Sequence, residues 1–281
     1  MKKFVLGLML TAAAFAVSAA VELKNGATVA FLGDSITYLG ASQPSGYCNL
    51  VVSALKNAGI EVNPVFAGIS GHKSNDMLAR VDADVLAAKP DLVFLSCGVN
   101  DVWHGETGVP LPQYRENIEQ IVDKVLASGA KLVIFTSTMI GEDELNDNNR
   151  KLEEYNAFLR ELAARKNCGL ADMSAVMKPM VAALVKQGAA PGALLTVDGV
   201  HMNPIGNMMM ADTALKAIGF DAAMLADARK VWLSQPNACP VRGGADISIA
   251  AYLKLDEAAK KQNVSVQTLL NNMLNKSISE L

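Results

Sequence analysis

Apolar runs of strand length alternate with longer amphipathic segments along most of this 281-residue chain. The runs are continuous, as in parallel strands whose two faces are both buried. Between them, apolar residues recur at helical spacing. This alternation predicts an α/β fold, a three-layer α/β/α sandwich around a mostly parallel five-stranded sheet. The predicted strands span residues 27–32, 62–67, 92–97, 131–137 and 169–173, and the predicted helices span residues 47–58, 75–88, 112–128 and 148–166.

The first 20 residues have the pattern of a secretory signal peptide. Lys2 and Lys3 precede an apolar core, and small residues near Ala19 and Ala20 provide a cleavage site. The apolar run is short for a membrane span, and no stop-transfer pattern follows it. We therefore expect an exported protein, periplasmic or secreted, without a stable membrane anchor.

Charge and cysteine content exclude several other classes of protein. Without the two leader lysines, 23 basic residues stand against 28 acidic ones, a net charge of −5 that does not favour nucleic acid or an anionic membrane. The cysteines lack the close pairs of a zinc site, and their positions assign no disulfide. They are Cys48, Cys97, Cys168 and Cys239.

Polar or glycine-containing segments follow the first three predicted strands. Ser35 follows the first strand, Gly71 the second and Asn100 the third. Because the carboxyl ends of parallel strands meet at one edge of a sheet, we expect these residues to lie together. A serine on a strand-to-helix turn is a candidate nucleophile, and a glycine N–H and an asparagine carboxamide are candidate oxyanion donors. Taken singly, each is typical of an ordinary turn. Ser70 lies one glycine short of the nucleophile elbow of α/β-hydrolases, so we do not interpret it as the nucleophile.

The chain contains three histidines, of which two are candidates for a general base. His72 has no acidic residue three positions before it and is interpreted as a loop or rim residue. His104 and His201 each follow an aspartate at that distance, Asp101 and Asp198 respectively. Spacing alone leaves both pairs open.

Four short motifs resemble, in order, the conserved blocks of the SGNH (GDSL-type) hydrolase family, which has a flavodoxin-like fold. They lie within residues 27–217 and read Gly33-Asp34-Ser35, Ile69-Ser70-Gly71, Gly98-x-Asn100-Asp101 and Asp198-x-x-His201. The first block continues with isoleucine where the family has leucine, a conservative difference.

The resemblance implies a role for each candidate residue. Ser35 is the implied nucleophile, and its own N–H, the N–H of Gly71 and the side chain of Asn100 form the implied oxyanion hole. His201 is the implied base, oriented by Asp198. The same resemblance implies that Asp101 organises its loop and that His104 is at most a substrate contact. No metal or organic cofactor is expected.

With the expected export, the resemblance implies a serine esterase that hydrolyses carboxylic esters through a Ser-His-Asp acyl-enzyme mechanism. Within that class we expect a carbohydrate O-acetylesterase acting on a glycan or small-molecule ester. The aromatic content of 5% and the lack of a long apolar lid segment make a triglyceride lipase a poorer match. A lysophospholipase or thioesterase-type acylhydrolase, and a non-catalytic glycan-binding protein on the same fold, are the alternatives.

The resemblance does not account for the sequence after residue 235. Residues 236–244 are rich in turn-forming residues, as in a linker, and helical segments follow at 247–262 and 265–277. We expect these helices to serve packing or homo-oligomer assembly. The predicted organisation is a signal peptide (1–20), a hydrolase domain (21–235), and a linker with a C-terminal helical extension (236–281).

Overall fold

The computed structural model describes residues 21–235, 239–241 and 245–280, so the predicted signal peptide lies outside the described residues. The central sheet consists of β1 (Ala27–Gly33), β2 (Val62–Gly68), β3 (Leu92–Ser96), β4 (Lys131–Phe135) and β5 (Gly169–Ala171). These strands pair in the order β2-β1-β3-β4-β5, and every pairing is parallel. After β1 the chain forms β2 on one side of it and then crosses over to form β3 on the other side. The carboxyl end of β1 is therefore a topological switch point, where α/β sheets bind ligands.

Helices cover both faces of this sheet. Right-handed crossovers place α2 on one face and α3, α5 and α6 on the other, and α8 and α9 pack on α2. The arrangement confirms the predicted three-layer sandwich, and its sheet is entirely parallel. The helices are α1 (Ser35–Ser42), α2 (Tyr47–Asn57), α3 (Ser74–Asp84), α4 (Val99–Trp103), α5 (Leu111–Ala127), α6 (Asp147–Arg165), α7 (Met173–Lys186), α8 (Pro204–Ala217), α9 (Ala222–Ser234), α10 (Ile249–Lys261) and α11 (Val266–Ser279).

Some strands end earlier than predicted because side chains take over the backbone hydrogen bonds. After β4, the N–H of Ser137 donates to Asn156 Oδ1 at 2.7 Å instead of to a neighbouring strand. After β5, Asp172 caps α7 by accepting from the N–H of Ala175, so Met173 belongs to that helix. β3 likewise ends one residue before Cys97.

Stacked aromatic side chains form the core beneath the switch point. The ring centroids of Phe31 and Phe94 lie 5.1 Å apart, and those of Phe94 and Phe135 lie 5.6 Å apart. The ring of Tyr47, at the start of α2, lies tilted against that of Phe135. Replacing one such ring with alanine typically costs about 3–5 kcal/mol. The strands that lead to the sheet edge are therefore firmly supported.

Two paired glycines let α1 cross closely over the ends of the strands. Gly33 and Gly68 are register partners at the ends of β1 and β2. A Cβ on Gly33 would lie 2.0 Å from Thr37 Oγ1, and one on Gly68 would lie 2.3 Å from the backbone nitrogen of Tyr38. Since no side chain fits at either position, both glycines are needed to place α1 directly on the sheet edge.

The C-terminal extension packs on the α/β domain through α10. Ile249 is fully buried, and α10 contacts α9 and α8. α11 contacts α10 and buries Leu269. Part of the predicted linker forms an antiparallel pair, β6 (Cys239–Val241) with β7 (Ala245–Ile247). In the described part of the chain, none of the helices has the length and apolar character that crossing a membrane requires.

Candidate active site

Ser35 is the first residue of α1 and directly follows β1. Asp34 caps this helix, because its carboxylate accepts from the N–H of Ile36 at 2.9 Å. Burial raises the pKa of Asp34 to about 6, against the hydrogen bond from Ile36 and with a smaller contribution from the negative charge of Asp101. The Gly-Asp-Ser turn thus contains a helix cap, and the cap fixes Ser35 at the switch point.

The structure brings Ser35 together with His201, 166 residues further along the chain. His201 Nε2 lies 2.9 Å from Ser35 Oγ, and His201 Nδ1 lies 2.6 Å from Asp198 Oδ2. When Nδ1 carries the proton, its N–H donates a hydrogen bond to Asp198, and Nε2 presents a lone pair to the serine hydroxyl. This is the arrangement of a nucleophile, a general base and an orienting carboxylate.

Asp198 is held in its charged form. Partial burial opposes its ionisation, but hydrogen bonds from the His201 ring and from the N–H groups of His201 and Val200 keep the pKa of Asp198 below its ordinary value. The turn between the two residues needs Gly199, whose φ of +90° lies in the left-handed region. The carboxylate therefore fixes the plane of the His201 ring.

The two further oxyanion candidates follow β2 and β3, the strands on either side of β1. The N–H of Ile69 donates to the carbonyl of Gly33 at 3.1 Å, which joins the loop after β2 to the end of β1. Gly71, in that loop, has a φ of +78° and open space where a Cβ would project. Asn100 is buried at the start of α4, and its Nδ2 donates to the carbonyl of His72 at 3.0 Å. The carboxamide has a second N–H, which is available for a ligand.

The alternative pair of Asp101 and His104 is not assembled in this structure. The carboxylate of Asp101 is fully buried and accepts from the N–H and hydroxyl of Ser74, at 3.0 and 2.6 Å, and from the thiol of Cys97. Burial raises its pKa despite these bonds. The ring of His104 lies edge-on to that of Trp103. Asp101 joins α4 to α3 and so supports the loop that carries Asn100.

Arg80 is a site residue that sequence analysis missed. From α3 its guanidinium donates to the carbonyls of Gly33 and Ala67, at 2.9 Å each, and to His72 Nδ1 at 3.1 Å. The Arg80 side chain therefore connects the ends of β1 and β2 to the loop that contains Gly71. Nothing in the sequence distinguishes Arg80 from other helical arginines, because all three contacts are tertiary.

Three of the four cysteines are free thiols, and the side chain of Cys239 lies outside the described residues. Burial raises the pKa of Cys48 and Cys97, and that of Cys168 to about 11, so all three are protonated at neutral pH. Among the residues that the structure describes, no group of three or more His, Cys, Asp or Glu side chains is placed to hold a metal ion.

The chain is similar in sequence to known acylhydrolases and esterases. Residues 31–209 match the GDSL-like lipase/acylhydrolase family. The chain is 30% identical to an acetylxylan esterase of Geobacillus stearothermophilus over 224 residues, which is 72% of this chain and 98% of the relative. It is 34% identical to esterase TesA of Pseudomonas aeruginosa over 108 residues, which is 38% of this chain and 52% of that protein.

Solved structures of acetylxylan esterases have a similar fold. The acetyl xylan esterase AlAXEase superposes with a TM-score of 0.64 at 33% identity, over 68% of this chain and 99% of that one. Axe2, an acetylxylan esterase from Geobacillus stearothermophilus, gives a TM-score of 0.63 at 28% identity, over 71% of this chain and 97% of its own. Catalytic mutants of Axe2 replace a serine, an aspartate and a histidine, the last two spaced three residues apart as Asp198 and His201 are. The chain is thus a carboxylic-ester hydrolase and belongs to the GDSL-like lipase/acylhydrolase family.

Proposed function

We propose that this protein removes acetyl groups from an acetylated carbohydrate through an acyl-enzyme on Ser35. The observation that carries the proposal is the hydrogen-bonded series from Ser35 through His201 to Asp198 at the switch point of the sheet. The acetylxylan esterases that match nearly their whole length to this chain support the choice of acyl group and alcohol.

In the first step, Ser35 Oγ forms a bond to the ester carbonyl carbon while His201 Nε2 takes the hydroxyl proton. The carbonyl oxygen becomes an oxyanion, which accepts from the N–H groups of Ser35 and Gly71 and from Asn100 Nδ2. The carbon–oxygen bond to the sugar then breaks, and His201 donates its proton to the departing alcohol. The N–H of Ser35 is suited to this role because the first N–H groups of a helix have no partner within it.

In the second step, water releases acetate from Ser35. His201 takes a proton from the water, whose oxygen bonds to the acyl carbon, and then returns that proton to Ser35 Oγ. Asp198 stays ionised throughout, because its pKa is lowered, and it stabilises the positive charge that His201 carries in both steps.

Exposed aromatic side chains on the two helices that carry Ser35 and Asn100 suit a sugar ring. Tyr38 on α1 and Trp103 on α4 are each about half exposed, and these two helices begin at Ser35 and next to Asn100. Flat apolar surfaces beside a few directed polar groups are typical of sites for small organic ligands. They offer faces for pyranose rings, whereas a long acyl chain needs a continuous apolar groove.

The test compares wild-type protein with Ser35→Ala and Ser70→Ala on acetylated xylo-oligosaccharides and on 4-nitrophenyl acetate. Ser70, which is exposed in the neighbouring loop, is the matched control. We expect acetate release from wild type and Ser70→Ala, and a loss on the order of 10⁴-fold or more in Ser35→Ala. Inert wild-type protein that still binds the oligosaccharide would instead indicate a glycan-binding protein. Faster release of long-chain acids than of acetate would indicate a lysophospholipase or thioesterase.

We further propose that the chain is exported after cleavage near Ala19 or Ala20, without a stable membrane anchor. The support is the signal-peptide pattern of the first 20 residues. N-terminal sequencing of protein recovered from the periplasm or medium would begin at Ala20 or Val21. Recovery of protein that still begins at Met1 from the cytoplasm would contradict export.

A further inference from the structure

We propose that Glu142 is a positioning residue that holds the base loop, defined as residues 192–201, in register with Ser35. The inference rests on the proposed roles of Ser35, Asp198 and His201. Glu142 follows β4 and is 1% exposed, so its carboxylate is enclosed by protein.

The carboxylate of Glu142 accepts five hydrogen bonds, all from the base loop. Oε2 accepts from the N–H groups of Gly192 and Leu194, at 2.9 and 2.6 Å. Oε1 accepts from the N–H groups of Leu195 and Thr196 and from the Thr196 hydroxyl, at 2.7, 2.8 and 2.8 Å. Bonds from neutral donors to a charged acceptor are stronger than those between neutral groups. One side chain therefore binds four residues in the first half of the loop.

Thr196 connects Glu142 to the turn that carries Asp198 and His201. While its hydroxyl donates to Glu142, its oxygen accepts from the N–H of Gly199 at 3.0 Å. The residue before Glu142 adds a backbone bond, from the N–H of Gly141 to the carbonyl of Gly199 at 2.7 Å. A short series of bonds thus connects Glu142 to the glycine between Asp198 and His201.

Glu142 is itself held rigidly. Its φ of +53° lies in the left-handed region, which a glutamate adopts only where its surroundings impose it. Asn149, at the start of α6, accepts from the N–H of Ile140 and donates to the carbonyls of Ile140 and Asp143. Glu142 therefore joins the base loop to the segment between β4 and α6, separate from α1, which carries Ser35. Asn203, at the start of α8, also binds this loop, through the carbonyls of Leu194, Leu195 and Thr196.

Replacing Glu142 with glutamine tests the inference, because an amide fills the same space but turns one acceptor into a donor. Whichever side the NH₂ group occupies, at least two N–H donors of the loop face it. We expect kcat to fall on the order of 10²-fold with little change in KM, as for a small misplacement of a reacting group. Thr196→Val, which keeps the four backbone bonds to Glu142, should give a smaller loss in the same direction.

Asp172→Asn is the control, since this half-buried carboxylate accepts from Arg160, Thr136 and the N–H of Ala175 without touching the base loop. All variants are assayed below their melting temperatures. Proton NMR supplies a second measurement, because a His201 Nδ1–H that donates to Asp198 at 2.6 Å gives a far-downfield resonance. We expect that resonance to broaden or move in Glu142→Gln and Thr196→Val, and to stay in place in Asp172→Asn.

An active wild type in which folded Glu142→Gln keeps both its kcat and the downfield resonance would overturn the inference. If Glu142→Gln does not fold, an unchanged resonance and kcat in Thr196→Val would overturn it instead. An inert wild type would refute the proposed hydrolysis, and the resonance would still decide whether Glu142 positions His201.

Discussion

The carboxamide of Asn100 has two N–H groups, and the structure uses one of them to hold the loop of Gly71 by donating to the carbonyl of His72. The other is the proposed oxyanion donor. We expect Asn100→Ala to lower kcat by about 10²–10³-fold, as for loss of one such donor in similar sites, with KM changed far less. Steady-state kinetics on 4-nitrophenyl acetate would measure this.

Asn156→Ala is the matched control, because Asn156 is also buried but binds backbone groups of Ser137, after β4, and not the loop of Gly71. It should lower the free energy of unfolding without a comparable effect on kcat. A folded Asn100→Ala variant that keeps more than a tenth of the wild-type kcat would exclude the oxyanion role.

Asp34 predicts an unusual dependence of stability on pH. Burial raises the pKa of Asp34 in the folded protein from 3.8 to about 6. The contribution of Asp34 to the free energy of unfolding is therefore most favourable below about pH 4 and is lost as the pH rises through about 6. Ionising this carboxyl in the folded protein costs about 3 kcal/mol more than in the unfolded chain. We expect Asp34→Asn, which can still cap α1, to gain stability relative to wild type between about pH 4 and pH 6.

Urea unfolding across this range would measure that difference. Asp172→Asn should show the opposite trend, because the hydrogen bonds of Arg160, Thr136 and Ala175 outweigh burial and lower the pKa of Asp172. The loss of stability in Asp172→Asn, relative to wild type, should shrink as the pH falls. A constant difference between Asp34→Asn and wild type at every pH would contradict the raised pKa.

The strands and most of the longer helices could be predicted from sequence, because hydrophobic periodicity is a local property of the chain. The short helices α1 and α4 could not, since each has too few residues to show a period. They begin at Ser35 and Val99, where the pattern shows only strand ends followed by turn residues. These two short helices matter for function, because the start of each one fixes the direction of one candidate side chain.

The site was only partly predictable for a related reason. Ser35, Gly71 and Asn100 could be placed at one edge because each follows a strand. The choice between His104 and His201 depended on family resemblance, and the structure shows why spacing failed: Ser74 occupies the carboxylate of Asp101. Arg80 and Glu142 gave no sequence signal, because their partners are distant in the sequence, in two strands and a loop for Arg80 and in the base loop for Glu142.

Arg80 connects two strands and a loop, so its replacement should act on the site through their relative placement. In Arg80→Lys the charge is kept, but one ammonium group cannot reach the carbonyls of Gly33 and Ala67 and the ring of His72 together. We expect kcat to fall on the order of 10–10²-fold. Kinetics beside thermal melts would separate this from a loss of folded protein.

Arg165→Lys is the control for that experiment, because Arg165 forms a largely exposed pair with Glu119 on the outer helices. Exposed pairs contribute little, so both kcat and melting temperature should stay near wild type. Equal kinetics for Arg80→Lys and Arg165→Lys would show that the forked contacts of Arg80 are not needed.

The C-terminal helices extend the molecule beyond the region that matches the family. On α11, Met273, Leu274 and Ile278 are each more than half exposed, which is unusual for three large apolar side chains on one short helix. We expect them to join copies of the chain. Leu274→Lys with Ile278→Lys should therefore lower the mass measured by sedimentation, while acetate release per chain is retained.

Val185→Lys, a substitution of a partly exposed apolar residue on α7, is the control and should leave the mass unchanged. A wild-type protein that sediments as a monomer, or a double variant with the wild-type mass, would contradict assembly through α11.

The anchoring of the base loop has a consequence for how the protein responds to heat. Ser35 begins α1 just after the strand whose Phe31 lies in the aromatic core, whereas His201 lies in a loop that is held mainly by hydrogen bonds to Glu142 and Asn203. Regions held by fewer contacts open at lower free energy than the core. Warming should therefore abolish turnover at a temperature at which circular dichroism still reports the full complement of helices, and cooling should restore the rate at once.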